Sequence, residues 1–301
     1  MKLLLTGAYQ YDEEQIEYLR SLGNEIVFVQ DERIPIPFDV ADIEGVICNG
    51  LFLYTPIERF ESLRYIQLTA AGLDRVPLDY IRDHGIRLYN ARGVYSVPMA
   101  EFVLGGILQF YKQASFFYEN RLAHRWEKHR GLEELAGKKA LIVGCGSIGT
   151  EIAKRLRAFD CRVTGIDPFV RTNDAFDSLL PSDRLEEALT ESDIVVLTLP
   201  LTEDNRRFFD KEKLALMKRE ALLVNVARGA LVNERDLIDA LRNNTIGGAV
   251  LDVFEEEPLS ETSPLWELDN VILTPHNSFV GNHNRQRMFE VFVNHLKQEL
   301  K

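Results

Sequence analysis

Ala140-Leu-Ile-Val-Gly-Cys-Gly-Ser-Ile-Gly149, with its continuation through Arg162-Val-Thr-Gly-Ile-Asp167, is the stretch on which the fold turns. Its apolar run breaks at Gly144, Gly146 and Gly149, and Ile148, Ile152, Leu156 and Phe159 then fall on one helical face. A second short run ends at Asp167. Strand, glycine turn, helix, strand and acid is the order a dinucleotide site requires. Gly144 permits the tight turn, Gly146 lets the backbone approach a pyrophosphate, and Gly149 lets helix and strand pack closely. The N–H groups at the helix start, about Ser147 and Ile148, face the phosphates. Asp167 is placed to accept hydrogen bonds from a ribose diol and to repel a 2′-phosphate, which favours NAD over NADP. Arg171 lies near enough to keep NADP open.

The totals narrow the function classes. A chain of 301 residues has room for about two domains. A net charge of −12 argues against sequence-independent binding to nucleic acid or an anionic membrane. An anionic substrate must then be drawn in by a local positive site against the global field. Cys48, Cys145 and Cys161 show no CxxC spacing and read as buried thiols of a reducing compartment. Cys145 sits in the phosphate turn, where a small residue fits and an oxidant-sensitive thiol is the alternative. The N-terminal apolar stretch is too short for a signal peptide, and no run is long enough to span a bilayer, so a cytoplasmic protein is expected.

Ahead of the glycine turn, strands are expected at residues 2 to 7, 25 to 29, 45 to 48, 65 to 69 and 86 to 89. Helices alternate with them, including a short one over Pro56 to Leu63, and the pattern indicates a parallel α/β unit. Ala70-Ala71-Gly72 directly follows the Tyr65 strand, and a bare turn there offers N–H donors to an anion. A small-residue turn without a ligand explains it equally well. One long amphipathic helix is predicted over Met99 to Phe117, with an apolar face suited to a subunit interface or to burial between domains. Glu119 to Lys138, with Trp126, His124 and His129, reads as a solvated arm without metal-ligand spacing. After Asp167 the alternation resumes, with strands near 193 to 199, 221 to 226, 247 to 251 and 271 to 273. Asn233 is expected to cap the helix that follows it.

Three polar residues stand just past apolar runs in this second half: Arg228, Glu257 and His276. An arginine between Ala227 and Gly229 can grip a carboxylate through two parallel hydrogen bonds and polarise an adjacent carbonyl. Glu257 closes the acidic run Glu255-Glu-Glu257, which taken alone is most often solvated surface. His276 alone among six histidines directly follows an apolar strand. The other five, His84, His124, His129, His283 and His295, are expected to be exposed.

The chain resembles the D-isomer-specific 2-hydroxyacid dehydrogenases over nearly its whole length. The matching stretches are Val143-Gly-Cys-Gly-Ser-Ile-Gly149, Leu197-Thr-Leu-Pro-Leu-Thr202, Val224-Asn-Val-Ala-Arg-Gly-Ala-Leu-Val232, Leu251-Asp-Val-Phe-Glu-Glu-Glu-Pro258 and Thr274-Pro-His276. The resemblance implies that Arg228 binds the substrate's carboxylate and carbonyl, that His276 is the acid/base, and that Glu257 rather than Glu255 or Glu256 pairs with it. It implies that Asp252 contacts the nicotinamide amide. It adds Leu199, Pro200, Asn205, Val226 and Ala227 to the cofactor contacts, and Ala71-Gly72 as the substrate-carboxylate turn. The chain departs from the family at Asn277-Ser278-Phe279, where small residues are usual. The Cys48-Asn-Gly-Leu-Phe52 turn lacks the arginine of phosphoglycerate-type members, so a phosphorylated substrate is disfavoured.

These readings converge on an α/β protein of two doubly wound parallel-sheet domains. A Rossmann dinucleotide-binding domain, residues 98–276, is inserted into a flavodoxin-like substrate domain, residues 1–97 and 277–301. The expected activity is NAD-dependent interconversion of a small non-phosphorylated 2-keto acid and its D-2-hydroxy acid. No metal is expected, and the resemblance implies a homodimer. The rival is an NAD-sensing, corepressor-like binding protein on the same fold.

Overall fold

The structure, a computed structural model, describes residues 1–169 and 172–299. Two compact units emerge, Met1–Tyr95 with Gly281–Lys301, and Ser96–Val280. These junctions differ by a few residues from those expected, for local reasons. Ser96 already begins a helix of the larger unit, and Asn277 and Ser278 are tied to that unit by backbone bonds to Asp252.

In the smaller unit the chain runs β1 (Lys2–Thr6), α1 (Glu13–Ser21), β2 (Glu25–Val29), β3 (Gly45–Cys48), β4 (Tyr65–Leu68), α2 (Leu78–Asp83) and β5 (Arg87–Tyr89). The strands form one parallel sheet in the order β2-β1-β3-β4-β5. That is the flavodoxin-like order, with the switch point beside β1. Successive β1 side chains serve opposite faces: Leu4 packs with Val46, Ile66 and Leu68, while Leu3 and Leu5 pack with Ile47 and Tyr65. Both faces are thus covered, which explains strands without polar alternation. The helix expected over Pro56 to Leu63 is instead a single 3-10 turn, Ile57–Arg59, too short to carry a nucleated helix.

The larger unit comprises α3 (Ser96–Tyr111), α4 (Ala114–Leu122), β6 (Lys139–Val143), α5 (Ser147–Ala158), β7 (Arg162–Ile166), β8 (Ser178–Leu180), α6 (Leu185–Glu191), β9 (Ile194–Leu197), α7 (Lys211–Leu216), β10 (Leu222–Asn225), α8 (Glu234–Arg242), β11 (Gly248–Leu251) and β12 (Val271–Leu273). Its seven strands are parallel in the order β12-β11-β10-β9-β6-β7-β8. Counted from β6, that is the dinucleotide-binding order extended by one strand, and the crevice for a ligand opens where the order reverses, between β6 and β9. One face of the sheet, with Leu141, Val195, Leu223 and Leu251, is covered by α6, α7 and α8. The other receives α3 closely enough that a Cβ on Gly106 would stand 2.7 Å from Val250 Cγ1. Asn233 caps α8, its side chain accepting from the Asp236 N–H.

The single helix predicted over Met99 to Phe117 is two. Gln113 adopts a left-handed φ of 51°, and its backbone N–H and Nε2 both return to the Phe110 carbonyl, which ends α3 and starts α4 in a new direction. The arm beyond α4 is largely exposed, as its composition suggested, with Trp126 99% accessible. β8, which the sequence did not announce, is a three-residue edge strand beginning in serine. The three cysteines are buried and free. Burial pushes the Cys145 thiol up to about 12, so this residue packs beneath the turn with little thiolate to oxidise.

The last element, α9 (Asn284–Glu299), belongs to the smaller unit and lays Met288, Phe292 and Leu296 against the Leu3–Leu5 face. It also overturns one expectation, because His295 is not exposed. Its ring stacks on Tyr89 at 4.4 Å and its Nδ1 is 2.7 Å from Oε1 of the fully buried Gln67. Burial holds the imidazole below its ordinary value, so the folded state favours the neutral ring. The contribution is complete above the unfolded value of about 6.5 and is lost as the pH falls through it toward the folded value. Urea midpoints measured between about pH 7.5 and about pH 5.5 should therefore fall more steeply for the wild type than for His295→Gln. His129 is likewise half-buried, beside Phe116.

Candidate active site

The glycine turn fits a dinucleotide at each of its positions. Gly144 has φ 102°, and a Cβ there would come within 2.7 Å of the Leu199 nitrogen. A Cβ on Gly149 would overlap the Gly144 carbonyl oxygen. Gly146 is the opposite case: among the described residues a Cβ would meet nothing within 4 Å, which leaves space above it for a ligand. Gly146 also caps α5 without a side-chain hydrogen bond, leaving the first N–H groups, at Ser147 and Ile148, for an anion. Thr198, just past the neighbouring strand, donates its hydroxyl to the Gly144 carbonyl at 2.6 Å and fixes the turn from the β9 side.

Asp167 stands immediately after β7, where its Oδ2 accepts the Cys145 N–H at 2.9 Å and Oδ1 the Phe169 N–H at 2.8 Å. These two bonds orient the carboxylate at the end of the strand. Arg171 lies outside the described residues. Across the switch point, Leu199 packs on Gly144, and the Pro200 carbonyl accepts Asn205 Nδ2 at 2.8 Å. Asn205 Oδ1 also accepts the Thr202 N–H, so both ends of this side chain shape their own loop.

Arg228 follows β10 in extended backbone, with Nη1 donating to the Ala227 carbonyl at 2.8 Å. The turn that carries it is built by Asn225, which sequence reasoning passed over. This side chain is buried, accepts the Ala227 N–H on Oδ1 at 3.1 Å, and donates Nδ2 to the Arg228 carbonyl at 3.0 Å. The available signal was an amide at the end of an otherwise apolar strand, where a polar group must find partners. Val226 is buried within the same turn. Gly229 abuts the Phe254 backbone so closely that a Cβ would overlap its carbonyl. The Phe254 N–H in turn donates to Glu257 Oε1 at 3.1 Å, and Glu257 Oε2 lies 2.7 Å from His276 Nδ1. One continuous set of contacts thus runs from the Arg228 turn through Phe254 to Glu257 and His276.

The acidic run is sorted by partners. Glu255 forms a two-pronged pair with Arg207 at 3.0 Å, whereas Glu257 meets the imidazole. With Nδ1–H donated to the carboxylate, Nε2 is the ring's working nitrogen. His276 itself has a left-handed φ of 49°, rare for a residue with a Cβ. Asp252 holds it there. Fully buried, this carboxylate accepts the Thr274 hydroxyl at 2.7 Å and the N–H groups of Asn277 and Ser278 at 2.8 and 2.9 Å, while its carbonyl accepts the His276 N–H at 2.8 Å. Asp252 is therefore engaged by the histidine turn. Phe279 stands edge-on to the imidazole with ring centroids 6.0 Å apart. Ala71 and Gly72 belong to the smaller unit, in the turn after β4, where the Ala71 carbonyl accepts Asn90 Nδ2 at 2.7 Å. Among the described residues no group of His, Cys, Asp or Glu could hold a metal ion, and no helix is long and apolar enough to cross a membrane.

A nucleotide-binding crevice at the switch point and a histidine–carboxylate pair at the same strand ends define a dinucleotide-dependent oxidoreductase. Residues 104–278 match the family model of the D-isomer specific 2-hydroxyacid dehydrogenase NAD binding domain. The chain is 36% identical to an (S)-sulfolactate dehydrogenase of Chromohalobacter salexigens, over 81% of this chain and 80% of that protein. It is 34% identical to a glyoxylate reductase of Thermofilum pendens, over 80% and 73% respectively. A solved D-isomer specific 2-hydroxyacid dehydrogenase from Xanthobacter autotrophicus, in complex with NADPH and MES, superposes with a TM-score of 0.81 at 28% identity, covering 99% of this chain and 94% of that one. The chain belongs to the D-isomer-specific 2-hydroxyacid dehydrogenase family, and it is an NAD(P)-dependent oxidoreductase.

Proposed function

We propose that this enzyme interconverts a small, non-phosphorylated 2-keto acid and its D-2-hydroxy acid, with NAD as the preferred cofactor. The bound dinucleotide supplies or accepts the hydride. His276 gives a proton from Nε2 to the keto oxygen in reduction and takes it back in oxidation, while Glu257 keeps Nδ1 protonated and the ring oriented. Arg228 binds the substrate carboxylate and offsets charge developing on the carbonyl oxygen, and the Ala71 and Gly72 N–H groups add a backbone grip on the carboxylate. Asp167 favours the unphosphorylated ribose. Asp252 keeps the histidine turn in place and so acts on the nicotinamide end of the site. The observation that carries the reading is the 2.7 Å pair between His276 Nδ1 and Glu257 Oε2, linked through Phe254 to the Arg228 turn.

The test is oxidation of NADH and NADPH with a panel of 2-keto acids spanning glyoxylate, pyruvate, hydroxypyruvate and branched-chain members. Turnover with at least one acid, faster with NADH, supports the proposal. Tight NADH binding without turnover on any acid favours the cofactor-sensing alternative. Arg228→Lys should lower kcat/KM for the keto acid by about 10²-fold, because a point charge cannot reproduce the two-pronged geometry, with little change in NADH affinity. An unchanged kcat/KM would remove Arg228 from its role.

A homodimer is part of the same proposal. Phe117, Tyr118, Leu122 and Trp126, on α4 and the arm after it, are all exposed, and large apolar side chains left in solvent are what an obligate partner covers. A cytoplasmic setting is supported by the three free, buried thiols.

A further inference from the structure

The smaller unit carries a cavity of about 390 Å³ beside the carboxyl end of β5, lined by Leu88, Tyr89, Asn90, Arg92, Val291 and His295 among others. Its size falls within the range of small-molecule sites, about 300–1,000 Å³. None of these residues has a part in the proposed reaction. Leu88, Val291 and the Tyr89 ring make an apolar wall, and Arg92 and His295 bring polar groups to it.

The two polar groups are prepared in complementary ways. Among the described residues the Arg92 guanidinium makes no hydrogen bond or ion pair; only its backbone N–H is engaged, by Asn90 Oδ1 at 3.2 Å. The His295 ring is fixed by Gln67, whose amide nitrogen donates to the Leu68 carbonyl at 2.9 Å and so turns its oxygen toward Nδ1. Nδ1 is then the donor, and because burial keeps the ring neutral, Nε2 is left as a lone-pair acceptor. A permanent cation and a neutral acceptor over an apolar wall select a carboxylate that carries a hydroxyl.

The cavity wall is also continuous with a functional turn. Asn90 Nδ2 donates to the Ala71 carbonyl at 2.7 Å, and the Ala91 N–H donates to the Ala70 carbonyl at 2.9 Å. An occupant that moves Asn90 and Arg92 therefore moves the segment on which Ala70–Gly72 rests.

We propose that this cavity is a second small-molecule site that takes a short hydroxy acid, with its carboxylate on Arg92, its hydroxyl donated to His295 Nε2 and its carbon chain against Leu88 and Val291. Occupancy is read out at the Ala70–Gly72 turn through Asn90.

The experiment is a nuclear magnetic resonance titration of the 301-residue chain with L-lactate, repeated with propionate, which lacks the hydroxyl. The His295 ring and the Asn90 and Arg92 amides should shift with L-lactate, with a dissociation constant of roughly 1–10 mM. Propionate should bind about 5-fold more weakly for want of one hydrogen bond. Arg92→Ala, and separately Val291→Trp, which fills the space, should abolish the His295 shifts while the remaining spectrum keeps its dispersion. No movement of His295 up to roughly 50 mM L-lactate, shifts that persist in both variants, or equal binding of propionate would each overturn the proposal. The readout does not involve turnover, so it stands or fails separately from the keto-acid panel.

Discussion

Replacing His276 by alanine is expected to lower kcat by about 10²- to 10⁴-fold, the usual contribution of a positioned general acid/base, with NADH affinity nearly unchanged. The expectation follows from where the ring is held. Glu257 occupies Nδ1 at 2.7 Å, the main chain of Asp252 anchors His276 N–H at 2.8 Å, and the Asp252 carboxylate fastens the residues on either side of it. Such a ring has one nitrogen to offer a substrate, and alanine offers none. The phosphate turn at Gly144–Gly149 is built from other residues, so cofactor binding, followed by fluorescence titration with NADH, should survive. A variant that loses cofactor binding in step with turnover would mean that the histidine turn is scaffolding.

Gly229→Ala is the second large effect. No rotamer relieves the clash, because the added Cβ would overlap the Phe254 carbonyl carbon and oxygen, which are main-chain atoms. Either Arg228 or the Phe254–Glu257 segment must shift, and the Phe254 N–H is what holds Glu257 Oε1. Overpacking of this kind costs about 1–3 kcal/mol of stability. A misplacement of about 1 Å between catalytic groups is enough to lower kcat/KM by about 10²-fold. Steady-state kinetics together with chemical denaturation should show both losses at once. Wild-type kinetics in a folded Gly229→Ala protein would show that the Arg228 turn and the Glu257 segment are not mechanically joined.

Much of this was legible in the sequence because period and position carry it. The apolar strands that run up to Thr198, Asn225 and Asp252 are buried throughout, as parallel strands covered on both faces are, and the proposed site residues lie at or just past such strand ends. What stayed hidden depended on partners distant in the chain. Nothing in Glu255-Glu-Glu257 says that the first acid goes to Arg207 and the third to the imidazole; that sorting arises only when β11 and β12 lie side by side. Gln113 does not look like a helix breaker, and its left-handed backbone is imposed by capping bonds to Phe110. His295 reads as a polar residue on a surface helix until Gln67, from a central strand, is found beneath it. Asn225 stood inside a quoted motif, yet its task, bracketing Arg228 from below, becomes visible only with both of its amide bonds drawn.

The open space over Gly146 has one more consequence. If phosphates are held, as proposed, by main-chain atoms at the start of α5, mutational tolerance along this loop should follow shape rather than chemistry. Cys145 and Ser147 can exchange for other compact residues in a saturation library, whereas the glycines flanking them are confined by the neighbouring backbone or by the room a guest needs. A protein that recognises a charged molecule with atoms common to every amino acid can let its side chains drift and still keep its ligand.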